Sequence, residues 1–305
     1  MTASIAVAVI SYRRPEQLAR LLASLQDQRP ERADWTARIV VVDNDAGRSA
    51  EPVVSAGAGP WPVSYAVEPT AGIPFARERS VQECRTDDAL VFVDDDERAP
   101  HGWLDTLVAA WQASGADVVT GPVRGILPDN APAWARHSDA YSSVGKHPDG
   151  AEHPHAYTNN TLVSRAVLEA VTPAFDATFA FTGSSDLNFF QRVHDAAFRI
   201  VWCAEAVVEE DVPASRVTLP WLARRAFRSG AGDAISRRLV RPGARGLAEG
   251  VVMGLARIGN GIVLLGLGGA DPARRIKGLR RIVSGVGTLA GLGGVNYEEY
   301  RRQDS

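Results

Sequence analysis

Cysteine is scarce: in 305 residues there are only Cys84 and Cys203. Two thiols cannot build a disulfide-rich secreted scaffold or a cysteine-based zinc site, and they point to a reducing compartment. Both fall in apolar stretches and read as small core residues, not nucleophiles. Lysine is equally rare, with only Lys146 and Lys277, so arginine carries nearly all the positive charge. Coding bias is the simplest reading of that imbalance. No basic segment precedes the apolar run that ends at Ile10, so this run reads as a buried strand and not a signal peptide. A long uninterrupted apolar run is also missing. Leu247–Gly269 approaches spanning length, but Glu249, Arg257 and Asn260 interrupt it and glycines weaken it, so a spanning helix is not expected.

What is present fits an ordinary globular chain: 45% apolar and 23% charged residues, enough for a sizeable core. The net charge of -3 hides an asymmetry. Residues 215–305 hold 16 Arg and Lys against 6 Asp and Glu, a net of +10, and the preceding 214 residues carry -13. An acidic body with a basic tail suggests that the tail meets something anionic, either phosphates or a membrane surface. A nucleic-acid partner is not expected, because the body would repel it and no such motif is visible.

Continuous β-branched runs predict strands buried on both faces at Ser4–Ser11, Arg38–Asp43 and Ala89–Val93, with shorter strands at Val63–Val67 and Ala116–Thr120. Pro15 opens a helix carrying Leu18, Leu21, Leu22 and Leu25 at helical spacing, and helices are expected at Ile73–Glu83 and Trp103–Ser114. This alternation implies an α/β chain with a largely parallel sheet flanked by helices. Gly125–Tyr157, with His137, His147, His153 and His155, reads as an irregular segment. The histidines lack zinc-ligand spacing, and a flexible loop is expected. Thr161–Ala170 resumes regular structure, Gly183-Ser184-Ser185-Asp186 precedes a helix, Ile200–Val208 is strand-like, and Leu219–Ser229 is an arginine-rich helix. In the tail, Ile276, Leu279, Ile282, Val286 and Leu289 form an apolar stripe beside Arg274, Arg275, Lys277, Arg280 and Arg281, a pattern suited to a helix lying on anionic lipid.

The acidic triplet Asp94-Asp95-Asp96 sits where a buried strand meets a loop, the position at which open α/β sheets bind ligands. Three adjacent carboxylates repel one another, and Mg²⁺ or Mn²⁺ would relieve the repulsion and clamp a diphosphate. Polar clusters also end two other strands, at Ser11-Tyr12-Arg13-Arg14-Pro15 and Asp43-Asn44-Asp45.

Taken in order, these clusters, Gly72-Ile73-Pro74-Phe75-Ala76-Arg77-Glu78, the Asp94-Asp95-Asp96 triplet and Gly183-Ser184-Ser185-Asp186 resemble the motifs of the family 2 glycosyltransferases over about Ser4 to Gly230. The resemblance implies a GT-A fold, with a nucleotide-binding half at 1–120 and an acceptor and catalytic half at 121–230; the charge and apolar pattern add a basic, Gly-rich amphipathic helical tail at 231–305. It implies an inverting, metal-dependent enzyme that moves a sugar from a nucleotide-diphosphate sugar, first of all a UDP-sugar, to an acceptor hydroxyl. Ser11, Tyr12 and Arg13 would line the base and ribose pocket, and Asp43 would accept a hydrogen bond from the base. Arg77 would sit near the phosphates, Asp94 and Asp95 near ribose and sugar, with Asp96 and Asp94 on the metal. Asp186 would be the general base, since a metal-bound diphosphate leaves without protonation and one carboxylate then suffices. Arg224 and Arg225, near Trp221, would meet the diphosphate, Glu210 would stand in for a metal-binding histidine, and the Asn159-Asn160 pair would touch the acceptor.

Two departures stand out: Glu78 replaces a frequent Asn, and Ser185 replaces the usual first acid of the catalytic motif. The expected partners are the donor, a glycan, lipid-linked or small-molecule acceptor, and a peripheral membrane contact through residues 247–290. The expected location is cytoplasmic, at the inner face of the plasma membrane. Two other readings remain. One is a sugar nucleotidyltransferase, for which the turn at Ser11 lacks a glycine-rich loop. The other is a non-catalytic nucleotide-sugar-binding protein, which the loss of an acid at Ser185 favours.

Overall fold

The computed structural model describes residues 2–31, 34–57, 59–269 and 271–295. The last ten residues of the expected tail lie outside them. The strands are β1 (Ala3–Ser11), β2 (Trp35–Asp43), β3 (Val63–Val67), β4 (Ala89–Asp94), β5 (Glu97–Arg98), β6 (Val118–Thr120), β7 (Val123–Ile126), β8 (Asn160–Ser164), β9 (Ile200–Trp202) and β10 (Val208–Asp211). The helices are α1 (Pro15–Gln26), α2 (Glu51–Ala56), α3 (Ile73–Glu83), α4 (Trp103–Ser114), α5 (Ala133–Arg136), α6 (Arg165–Ala170), α7 (Ser185–Asp195), α8 (Leu219–Val240), α9 (Ala244–Leu267) and α10 (Pro272–Leu292).

The chain divides into two compact units. The first takes in the chain up to Arg124, Val144–Ala180 and Phe189–Glu210; the second takes in Gly125–Ser143, Phe181–Asn188 and the chain from Asp211 onward. The expected boundary at residue 230 falls inside α8. Gly230 and Gly232 look like stop signals in sequence, yet they are contact points. A Cβ on Gly230 would fall 2.0 Å from the Ser284 carbonyl of α10, so the glycine allows close approach and the helix continues.

The first unit holds a seven-stranded sheet in the order β3-β2-β1-β4-β8-β6-β9. β1 pairs parallel with β2 and β4, β2 with β3, and β6 with β9. β8 runs antiparallel between β4 and β6, so the sheet is mixed, not uniformly parallel. Apolar side chains of both faces are buried, with Ile5, Val7, Val9, Leu18, Leu21, Leu25 and Leu107 on one side and Ala8, Leu90, Phe92, Val163, Phe189 and Phe190 on the other. Continuous hydrophobic runs are what two-sided burial requires. The register places Ser11 beside Asp43, and Ile10 beside Asp94, which sets the polar strand ends side by side.

The segment 150–153 is not free of the sheet. Gly150 N–H donates to the Trp202 carbonyl, Trp202 N–H to Ala151, and His153 N–H to Ile200. The rings of His147 and His153 lie against Trp202, and their Nε2 atoms are 3.1 Å apart. The expected flexible loop is therefore docked on β9 at this point.

The second unit is built on α8, α9 and α10, together with the buried cluster Ala131, Ala135, Tyr141, Val212, Val217, Leu222 and Ile276. The apolar stripe expected to face lipid is largely turned inward. Ile276 is buried, Ile282 lies beside Gly261 and Leu289 beside Gly254 of α9. Leu279 and Val286 alone of that stripe are exposed. Of the interruptions read in α9, Asn260 is exposed and the two charged ones are ion-paired. Arg257 binds Asp233 of α8 at 2.9 Å, and Glu249 binds Arg241 and Arg245.

Candidate active site

In the first unit, the carboxyl ends of β1, β2 and β4 carry the expected polar side chains. Ser11 is buried, and its hydroxyl donates to Asp95 Oδ2 at 2.8 Å. Asp43 is fully buried, and its carboxylate accepts bonds from Asp45 N–H (3.0 Å), Ala50 N–H (2.7 Å) and Tyr65 O–H (2.9 Å). The carboxylate holds the turn after β2. Arg13, in left-handed backbone at φ 54°, reaches Asp45 at 3.3 Å and sets its guanidinium over the Tyr12 ring.

The Asp triplet follows β4. Asp95 is buried, while the Asp94 and Asp96 side chains keep 38% and 21% of their surface accessible. The cation that balances them is Arg14, a residue of the first motif to which sequence reasoning gave no role. Its Nη1 lies 3.0 Å from both Asp95 Oδ1 and Asp96 Oδ2. Arg77, mostly buried on α3, stands 3.9 Å from Asp94 and over the Phe175 ring. Pro15 keeps Arg14 just ahead of α1, so the β1 turn and the β4 turn are tied by one guanidinium.

Two further carboxylates complete the cluster. Glu97, buried on the short β5, accepts the Asp94 N–H at 2.9 Å. β5 pairs antiparallel with β10, which sets Glu210 opposite Glu97. Burial raises the Asp94 carboxyl to about 7; Asp96, Asp95 and Glu210 add to the rise and Arg77 opposes it. Burial also holds Glu97 well above the usual carboxylate range, helped by the charge of Asp94, and raises Asp95 against the pull of Arg14. Desolvation and mutual repulsion thus penalise charge on Asp94, Asp95 and Glu97.

Among the described residues no group of three His, Cys, Asp or Glu side chains forms a ready-made metal cage. The donor set is nevertheless all oxygen, with Asp94 and Asp96 both reachable from solvent. That suits a hard cation which takes one or two carboxylates and completes its shell with phosphates and water.

In the second unit, Gly183 and Ser184 are both left-handed, at φ 73° and 72°. This turn starts α7, and Asp186 lies in its first helical turn, partly exposed, with Oδ1 accepting the Leu187 N–H at 2.8 Å. Ser185 is buried where the motif would carry an acid. α8 braces the turn: Asn188 Nδ2 donates to Ser236 Oγ at 3.1 Å, and a Cβ on Gly232 would fall 2.1 Å from Ser184 Oγ. Arg224 and Arg225 are exposed on α8, and Arg225 stacks over the Trp221 ring. Asn160 is not available to an acceptor. It is fully buried, accepts from Trp103 Nε1 at 2.9 Å and donates to the Pro122 and Ala206 carbonyls.

Known proteins are similar to this chain in sequence and fold. The profile of glycosyl transferase family 2 matches residues 6–172. The succinoglycan biosynthesis protein ExoM of Rhizobium meliloti (strain 1021) is 35% identical over 98% of this chain and 96% of its own. Among solved structures, the mannosyltransferase PcManGT from Pyrobaculum calidifontis, in complex with GDP-Man and Mn²⁺, shares the fold at a TM-score of 0.61 and 17% identity, over 95% of this chain and 88% of that one. TarS 1–349 of S. aureus matches at 0.52 and 16% identity over 75% of this chain and 65% of that one, so the chain spans less than two thirds of it. The fold is thus that of the GT-A glycosyltransferases, and the chain belongs to glycosyl transferase family 2.

Proposed function

We propose that this glycosyltransferase moves a sugar from a nucleotide-diphosphate sugar, a UDP-sugar in the first instance, to an acceptor hydroxyl with inversion, in the synthesis of a cell-surface glycan or glycolipid. The observation that carries this reading is the desolvated carboxylate cluster at the ends of β1 and β4, where Asp94, Asp95, Asp96, Glu97 and Glu210 meet Arg14 and Arg77. Such a site favours a divalent cation with its diphosphate over either alone. In PcManGT the partners are GDP-Man and Mn²⁺; here Asp96 and Asp94 would hold Mg²⁺ or Mn²⁺, with Glu210 facing them. When bound, the cation would neutralise charge on the leaving diphosphate.

The chain's own residues do the rest. Arg77 takes the phosphate side of the donor. Ser11, Tyr12 and Arg13 form the wall for base and ribose, and Asp95, held by Ser11 and Arg14, faces the ribose. Arg14, which also binds Asp96, would share that carboxylate with a cation held there. Asp186 accepts the proton of the acceptor hydroxyl as its oxygen attacks the anomeric carbon, and Arg224 and Arg225 attract the diphosphate. The acceptor is a glycan, lipid-linked or small molecule, and the relative's role in succinoglycan biosynthesis favours a growing polysaccharide unit. The enzyme works at the cytoplasmic face of the membrane, which its helical tail meets.

A thermal-shift series with nucleoside diphosphates and their sugars, with and without Mn²⁺, tests the reading. A shift that needs both nucleotide and Mn²⁺, and is lost in Asp96→Asn, is the expected result. Equal shifts without Mn²⁺, or in Asp96→Asn, would overturn the metal assignment.

A further inference from the structure

Large apolar side chains of a water-soluble bundle belong inside, and small ones have no reason to monopolise its contacts. The second unit inverts this arrangement. Its helices touch through glycine. A Cβ on Gly261 of α9 would fall 2.6 Å from the Gly278 carbonyl of α10, one on Gly285 2.6 Å from the Gly254 carbonyl, and one on Gly287 2.1 Å from the Phe227 carbonyl of α8. Ile258 and Leu265 of α9 pack on Gly285 and Gly278, but most of its large residues point out: Leu247, Val251, Val252, Leu255, Ile262, Val263 and Leu267 are all exposed, Val252 by 67% and Leu267 by 73%. Backbone-to-backbone packing through small residues is the habit of helices in lipid, where apolar burial between helices gains nothing.

Polar groups follow the same logic. From Ala248 to Leu267 the exposed face of α9 carries no charge, and Asn260 is its one polar side chain. Glu249 is bound by Arg241 and Arg245, and Arg257 is drawn between helices to Asp233 and Thr288. At 1.5 Å per residue this apolar face runs for about 30 Å. Its length and hydropathy alone would allow a spanning helix. Its partner α10 would not follow it across, since Arg274, Arg275, Lys277, Arg280 and Arg281 crowd its first three turns and Asp139 of the same unit binds Lys277 and Arg280. Exposed Arg245, Arg274, Arg275 and Arg281 provide the cationic flank.

We propose that the outer face of α9, and not the basic stripe of α10, lies in the plane of an anionic bilayer, its Leu, Val and Ile side chains below the headgroups and the flanking arginines on lipid phosphates. A second copy of the chain is the poorer occupant, because it would bring two tails of net +10 face to face. The inference sharpens the membrane contact proposed above and does not depend on the transfer reaction.

The test floats the full chain through a density gradient with vesicles of phosphatidylcholine, with and without phosphatidylglycerol. Wild type is expected to float with the anionic vesicles, and the Val252→Glu/Val263→Glu variant to lose at least about tenfold in bound fraction. The nucleotide-dependent thermal shift of that variant should match wild type, which separates this inference from the donor-site reading. A gentler variant, Val252→Cys carrying an environment-sensitive fluorophore, should shift to the blue on vesicles, whereas a label at Arg20→Cys, exposed on α1, should not. Wild type that ignores vesicles, a double variant that floats like wild type, a floating Val252→Cys protein without the blue shift, or an apolar-face-dependent dimer that excludes vesicles would each overturn it.

Discussion

Gly261 and Gly266 lie on the same helix, yet alanine at the two positions should move stability in opposite directions. A Cβ at Gly261 would lie 2.6 Å from the Gly278 carbonyl oxygen, 2.7 Å from Ile282 Cγ1 and 2.9 Å from the Ile282 nitrogen. Two of these three atoms are backbone, so the helices must separate to admit the methyl group. Overpacking of this kind costs about 1–3 kcal/mol. At Gly266 nothing lies within 4 Å of the added Cβ. There the substitution removes unfolded-chain entropy and should gain about 0.5–1 kcal/mol, as Gly→Ala does where the native backbone suits alanine. For a chain this large, about 2–3 °C of melting temperature per kcal/mol gives a fall of about 2–9 °C for Gly261→Ala and a rise of about 1–3 °C for Gly266→Ala. Circular dichroism melts in detergent-free buffer measure both. If the two variants moved together, or Gly261→Ala melted with wild type, the glycine contacts would not be what joins α9 to α10, and the argument for an inverted bundle would fail with them.

Asp186→Asn should lower kcat by about 10²–10⁴-fold, the range for loss of a general base, while donor affinity is unchanged, because the amide oxygen keeps the bond from Leu187 N–H. Steady-state kinetics beside donor titration separates the two. Asp233→Ala leaves Arg237 and Arg257 without their shared carboxylate and should cost about 3–5 kcal/mol, read by chemical denaturation. Burial pushes the Cys84 thiol up to about 12 and raises Cys203 as well, so both are protonated and neutral at pH 8. A disulfide reagent should therefore modify neither until denaturant is added, because the buried thiols offer it neither access nor an appreciable thiolate fraction.

The strand ends were legible because a strand buried on both faces needs an unbroken apolar run, and the run must stop where the chain turns polar. Ser11, Asp43 and Asp94 follow from that rule, and the register of β1 with β2 and β4 sets them side by side. The direction of β8 was not legible, since an apolar run looks the same either way and the long segment before it hides the route. Glu97 was harder to see because β5 is two residues long and carries no pattern of its own, and Glu210 came only through the family resemblance. Arg14 could have been found by asking which nearby cation answers three carboxylates before invoking a metal. In the tail, periodicity revealed an apolar stripe on α10 but not which of two apolar helices turns inward. The glycines decide that, and their spacing on α9 (Gly246, Gly250, Gly254, Gly261) was the signal that went unused.

The most direct measurement is transfer of labelled sugar from a nucleotide-diphosphate donor to a membrane extract containing glycan intermediates, with wild type and Asp96→Asn run in parallel. The account predicts Mn²⁺- or Mg²⁺-dependent labelling by wild type, abolished by chelation and by Asp96→Asn at an unchanged melting temperature. Undiminished labelling by Asp96→Asn, or by wild type after chelation, would contradict it.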